Sequence, residues 1–166
     1  MIAYEDAQVG HAIDLGQHTF DADDIKRFAG AYDPQPFHLD EAAADAGPFG
    51  GLCASGWHTA AVWMSLMVRH IGARMAEAEA RGEAPLALGP SPGFENLRWT
   101  RPVYAGDMIH YSSTIADKRR SATRSEWGLL TLDSKAVNQD GITVMTFRSR
   151  VFVPVRRNDE NGTDGQ

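Results

Sequence analysis

Residues 56–82 contain no proline and are rich in Ala, Met and Leu, and this stretch does most to limit what the chain can fold into. Such a composition favours helix throughout. Apolar residues point in nearly every direction around its first half, among them Trp57, Val62, Trp63, Met64, Met67 and Val68. A helix apolar on every face must be buried on every face, so the rest of the chain has to wrap it. The second half, residues 74–81, alternates Ala with charged side chains and is expected to emerge into water. His58 and His70 lie on this helix and read as a packed or a surface histidine. The longest apolar run, residues 60–68, is too short to cross a bilayer and leads into Arg69.

Ser55 stands where an N-cap belongs, so Gly56 and Trp57 should open this helix. The first N–H groups of a helix lack internal acceptors and carry partial positive charge. The Gly56 N–H is therefore a donor to a developing oxyanion, and with no Cβ in the way a ligand carbonyl can approach it. Cys53 is near enough to invite a nucleophilic reading. It precedes the cap in an apolar run, however, and small buried packing is expected of it.

Upstream lies Asp33-Pro34-Gln35-Pro36-Phe37-His38-Leu39-Asp40. The prolines fix φ at their own positions and push Asp33 and Gln35 towards extended backbone, which predicts a stiff loop over residues 32–40. A carboxylate at Asp33 and an imidazole at His38, held towards one point, would bind one water and move its proton. The plainer alternative is a rigid connector with an exposed Asp and a satisfied His. Before the loop, Ile25, Phe28 and Ala29 recur at helical spacing behind an acidic first turn, which predicts a short helix from residue 21 to Gly30. Asp40 is placed to cap a further turn that Gly47-Pro48 stops.

The remainder reads as strands. Ile13, Leu15 and His18 alternate near the N-terminus, and residues 82–93 form a loop. Strands are expected over residues 96–103, 108–116, 125–137 and 142–153, with residues 102–107 turning the first into the second and a basic hairpin tip at 118–123. Asp140-Gly141 supplies a hairpin signal. Consecutive hairpins make an antiparallel meander, so residues 1–155 are expected to be one α+β domain, followed by a mobile polar tail at 156–166. One sheet covers only part of such a helix and leaves its edge open, which predicts a homodimer or higher homo-oligomer.

Sixteen basic against twenty-two acidic residues give a net charge of −6, which argues against nucleic acid as the main partner. A single cysteine excludes an internal disulfide and fits a reducing compartment. Residues 1–6 lack the basic-then-apolar pattern of a signal peptide, so a cytoplasmic protein with no membrane partner is expected.

The set Phe28-Ala29, then Asp33-x-x-Pro36-x-His38-x-Asp40, then a Gly-rich turn and Ser55-Gly56 before a long helix resembles the MaoC-like (R)-specific enoyl-CoA hydratases. The likeness runs in outline over residues 21–153, with the specific motif confined to the loop and the helix start. It implies a hot-dog fold, a long central helix wrapped by an antiparallel β-sheet. It implies that Asp33 and His38 hold the catalytic water and that Gly56 is the glycine opening the helix. Reversible hydration of a 2-enoyl thioester to an (R)-3-hydroxyacyl thioester follows, with no metal or redox cofactor and with coenzyme A entering only as part of the small-molecule substrate. Ser55, Trp57, Pro36 and Phe37 adjoin these positions and are the substrate-binding candidates. The chain departs from the family pattern at Tyr32, where Gly is usual, at Gln35, where Asn is usual, and at Ser55, where His is common. A serine common in the family's helix falls near Met64, with Ser65 one place off.

An anionic thioester carrier would want cations, and Lys118-Arg119-Arg120 with Arg124 is a basic patch, although a solvated hairpin tip is its plainer reading. Arg98 and Arg101 are candidates to pair with a substrate carboxylate or to face water. Trp57, Trp63 and Met64 suit either an acyl tunnel or core packing. Hot-dog thioesterases usually carry a carboxylate on the central helix, and residues 59–68 hold none. A non-catalytic acyl-binding module is a further alternative. A metal site from Asp33, His38, Asp40 and His58 is the remotest, lacking Cys/His ligand spacing.

Overall fold

The computed structural model describes residues 3–83 and 89–156. In chain order the elements are β1 (Ala12–Thr19), α1 (Ala22–Tyr32), α2 (Pro36–Leu39), α3 (Glu41–Asp45), α4 (Gly56–Ala80), β2 (Gly93–Trp99), β3 (Met108–Arg120), β4 (Trp127–Val137) and β5 (Thr143–Pro154). The five strands form one antiparallel sheet in the order β1-β3-β4-β5-β2. Helix α4 packs on it, giving the α+β arrangement expected of a hot-dog unit.

α4 begins at the expected cap, where Ser55 Oγ accepts from the Trp57 N–H at 3.2 Å. It ends beside Gly82, whose φ of 74° is the left-handed conformation that closes a helix without a Cβ penalty. Val62, Trp63 and Met67 are buried, and Trp63 donates from Nε1 to Ser113 on β3 at 3.2 Å and meets the Phe147 ring edge-on. Burial on every face is not what this single chain achieves. Trp57, Met64 and Val68 are 52%, 53% and 59% exposed, because their spacing places them on one stripe that the sheet does not reach.

Two helix boundaries differ from expectation. α1 passes through Gly30 and stops at Tyr32, with Asp33 as its C-cap at φ −152° and ψ 68°. The residue before a proline is excluded from helical backbone, so Pro34, and not Gly30, ends the helix. The extended stretch is then short, because Pro36 opens the one-turn helix α2 from its N1 position, where a missing N–H costs nothing. Asp40 caps α3 as expected, accepting from the Ala43 N–H at 2.8 Å.

The meander holds only for β3-β4-β5. β2 pairs with β5 and not with β3, so residues 100–107 cross the end of the sheet instead of turning a hairpin. Two of their backbone groups pair with the segment leading into α4: Ala54 N–H donates to the Val103 carbonyl at 2.8 Å and Ala105 N–H to that of Leu52 at 3.0 Å. This crossing brings Trp99 and Arg101 to the start of α4. A bulge at Asn96, φ 57°, shifts the β2 register between Glu95 and Arg98.

β3 is longer than expected and carries Lys118 and Arg120 on the strand rather than at a tip. Lys118 Nζ donates to the Ala7 and Tyr4 carbonyls at 2.7 and 3.2 Å, and Arg120 pairs with Glu5 at 3.2 Å. The basic stretch therefore staples the N-terminal segment to the sheet. Arg156, the first residue of the expected mobile tail, is likewise engaged, with Asp6 at 2.5 Å, while the rest of that tail, 157–166, and residues 84–88 of the expected loop lie outside the described residues.

Candidate active site

Asp33 leaves α1 with both carboxylate oxygens occupied. Oδ2 accepts from Ser55 Oγ at 2.7 Å, and Oδ1 accepts from Gln35 Nε2 at 2.8 Å. The Ser55 hydrogen bond does most to hold the Asp33 carboxyl below the usual carboxylate range; partial burial opposes it, and Gln35 and the His38 ring add to it.

His38 sits in α2 with 5% of its surface exposed. Its Nδ1 lies 2.7 Å from the Cys53 carbonyl oxygen. A carbonyl only accepts, so Nδ1 carries the hydrogen and Nε2 of the neutral ring is left with its lone pair. That Nε2 stands 3.5 Å from Asp33 Oδ2. The Phe37 ring meets His38 edge-on at 4.5 Å and Phe49 at 5.2 Å, which fixes the imidazole from its side. The result is two hydrogen-bond acceptors facing one another.

Gly56 begins α4, and among the described residues no backbone acceptor is bonded to its N–H. A Cβ at this position would overlap the indole of Trp99, which itself packs edge-on against Trp57 at 5.2 Å. Close tryptophan packing, rather than room for a ligand carbonyl, is what requires glycine here.

Asp33, His38, Ser55 and Gly56 all line one open cavity of about 680 Å³, with Phe37, Trp57 and Trp99 supplying apolar wall. Pro36 does not line it; its part is to start α2. Ser55 is buried and borders the cavity with its hydroxyl spent on Asp33, which makes it a positioning residue. Arg101 lines the cavity and donates to the Thr100 carbonyl at 3.0 Å, whereas Arg98 lines a separate depression with Asp133 and Arg148. Lys118, Arg119, Arg120 and Arg124 do not line the cavity, so the basic patch is not part of this site. Trp63 belongs to the core and Met64 to the exposed stripe, so of the acyl-tunnel candidates only Trp57 borders the cavity.

Cys53 is buried, and burial pushes its thiol up to about 11, consistent with packing and not with a nucleophile. Asp33, His38, Asp40 and His58 are not gathered around a point. Asp40 is spent on the α3 cap, and His58 turns to Asp24 at 3.5 Å. Trp99 and the Gln35 brace escaped the sequence reading. Trp99 gives no local signal, since its place over Gly56 depends on the crossing at residues 100–107.

A model of the MaoC like domain matches residues 6–136. The uncharacterized protein YdeM of Bacillus subtilis (strain 168) is 32% identical over 135 residues, spanning 81% of this chain and 85% of its own length. The crystal structure of a MaoC-like dehydratase from Rhodospirillum rubrum superposes with a TM-score of 0.80 at 38% identity, covering 95% of this chain and 100% of that one. The unliganded (R)-hydratase PhaJ1 of Pseudomonas aeruginosa superposes with a TM-score of 0.61 over 99% of this chain and 96% of its own, and at 22% identity this likeness is one of fold. The chain belongs to the MaoC-like domain family, whose structural neighbours are hot-dog dehydratases and (R)-hydratases.

Proposed function

We propose that the protein reversibly hydrates a 2-enoyl thioester to an (R)-3-hydroxyacyl thioester, with Asp33 and His38 handling the water. The observation that carries this reading is the pair of acceptors, Asp33 Oδ2 and His38 Nε2, 3.5 Å apart on the wall of a cavity that the helix-opening Gly56 also lines. One water donates a hydrogen to each. Its oxygen then adds to Cβ while the pair takes the water proton, the C=C bond is lost, and Cα receives a proton. Negative charge gathers on the thioester oxygen between these events, where the Gly56 N–H, without a partner among the described residues, and the helix dipole favour it. The balance of this reaction requires neither a metal nor a redox cofactor. Coenzyme A enters as the carrier of the acyl group. Asp33 and His38 share the handling of the water proton.

Asp33→Asn and His38→Gln should each lower turnover of an enoyl thioester on the order of a hundredfold or more while leaving the thermal transition in place. Loss of absorbance at the enoyl band is the readout, and either variant retaining wild-type rate overturns the assignment. Release of free thiol from a saturated acyl thioester, measured alongside, would instead mark a thioesterase, a reading that the absence of a carboxylate over residues 59–68 disfavours. The working unit is proposed to be a homodimer, supported by the uncovered apolar stripe of α4.

A further inference from the structure

A second polar cluster lies apart from the catalytic pair. His18 on β1, Asp24 in the first turn of α1 and His58 in the first turn of α4 converge, and none of the three lines the active cavity. Asp24 Oδ2 is 3.4 Å from His18 Nε2 and 3.5 Å from His58 Nε2, and one donor atom from each residue lies within 4.8 Å of the others. Their polar groups are poorly satisfied. His18 Nε2 is buried without a hydrogen-bond partner and faces Asp24 Oδ2, and the His58 side chain beside it is only 5% exposed. Buried polar atoms of native proteins nearly always have partners, so the His18 orphan points to something that completes the site.

We propose that His18, Asp24 and His58 bind one divalent transition-metal ion of the zinc class, through the two Nε2 atoms and Asp24 Oδ2, with solvent as the fourth ligand. Two imidazoles and a carboxylate are a donor set that such ions favour. A tetrahedral site with bonds of about 2.1 Å has ligand–ligand edges of about 3.4 Å, which the two Asp24 separations match. Phe28 stacks on His58 at 4.4 Å and nearly parallel, and Phe20 meets both His18 and His58 edge-on, so the rings are held before any ion arrives. Arg27 pairs with Asp24 Oδ1 and opposes a cation there. It leaves Oδ2 unclaimed, however, and its own side chain is 74% exposed and free to swing outward. The His18 side chain, a third exposed, gives an ion its way in.

The consequence is mechanical. Asp33 is the C-cap of α1 and α4 begins at Gly56, so an ion bridging Asp24 and His58 clamps the two helices that deliver the catalytic carboxylate and the oxyanion donor. The ion itself takes no part in the reaction.

The test is equilibrium dialysis of chelator-stripped full-length protein against zinc, with bound metal measured directly, and the visible spectrum of the cobalt(II) form. One zinc per chain, d–d bands of a tetrahedral cobalt ion and a metal-dependent rise in Tm are expected for the wild type. His110→Gln, on an exposed histidine of β3, should behave as wild type. His18→Gln and Asp24→Asn should each weaken binding by about tenfold or more, since even an outer-shell loss costs that much, with the metal-free Tm unchanged. Less than one zinc per chain, or affinity that His18→Gln and Asp24→Asn leave untouched, overturns the proposal. A cluster that binds no metal and only shifts Tm with pH would be a proton-sharing pair, which also overturns it.

Discussion

One hydroxyl links the two halves of the site. Ser55 Oγ accepts from the Trp57 N–H, capping α4, and donates to Asp33 Oδ2, bracing the carboxylate. Because that bond lowers the Asp33 pKa, the carboxylate stays charged to a lower pH than an ordinary Asp, and the acid limb of kcat/KM should fall below the usual carboxylate range. Ser55→Ala removes the lowering contribution, so the limb should move to higher pH. Ser55→Thr keeps a hydroxyl and should largely restore the wild-type profile. A pH–rate profile for all three proteins decides it; a limb unmoved in Ser55→Ala would remove Ser55 from the site. Asp33 and His38 were legible in the sequence because two prolines restrict the backbone between them. The Ser55–Asp33 bond was not, since its partners are separated by α2, α3 and the glycine-rich turn.

The elements owe their boundaries to short-range chemistry, and their neighbours to long-range pairing. Asp21 accepts from the Asp24 N–H at 2.8 Å and starts α1. Asp21→Ala should cost about 1 kcal/mol, read as a lower Tm or denaturant midpoint. Because the far end of the same helix carries Asp33, a loss of turnover larger than the loss of folded protein would show that α1 also aims the carboxylate. The starts of α3 and α4 were readable from their capping residues, and that of α1 from its acidic first turn and apolar spacing. The partner of β2 was not. Its pattern suits an edge beside β3 or beside β5 equally well, and the choice goes with a crossing at residues 100–107 whose backbone pairs with residues 52–54, Phe20 and Val144. That choice carries Trp99 and Arg101 to the cavity, which is why Trp99 was invisible as a cavity wall and why Arg101, a candidate in sequence alongside Arg98, could not be told from it.

At the scale of the whole molecule, the stripe of Trp57, Met64 and Val68 leaves the longest helix open along one side. An apolar stripe of this kind is favourable to cover. Light scattering after size exclusion should give a dimer at micromolar concentration, and Val68→Glu should shift it towards monomer with the circular dichroism of the folded chain retained. A monomeric wild type would sink this expectation. The N-terminal segment illustrates the same dependence on scale, since the stretch that resembles a solvated tip in sequence is spent on Tyr4, Glu5 and Ala7. The chain's own residues determined the proline-bounded acid–imidazole pair, the capped central helix and the antiparallel strands, because φ restriction, capping and two-residue alternation act over a few positions. Tertiary structure alone decided which strand lies beside which, what covers Gly56, and that His18, Asp24 and His58 meet. Those contacts join residues far apart along the chain, and they are selected by the joint satisfaction of packing and backbone hydrogen bonds rather than by any local pattern.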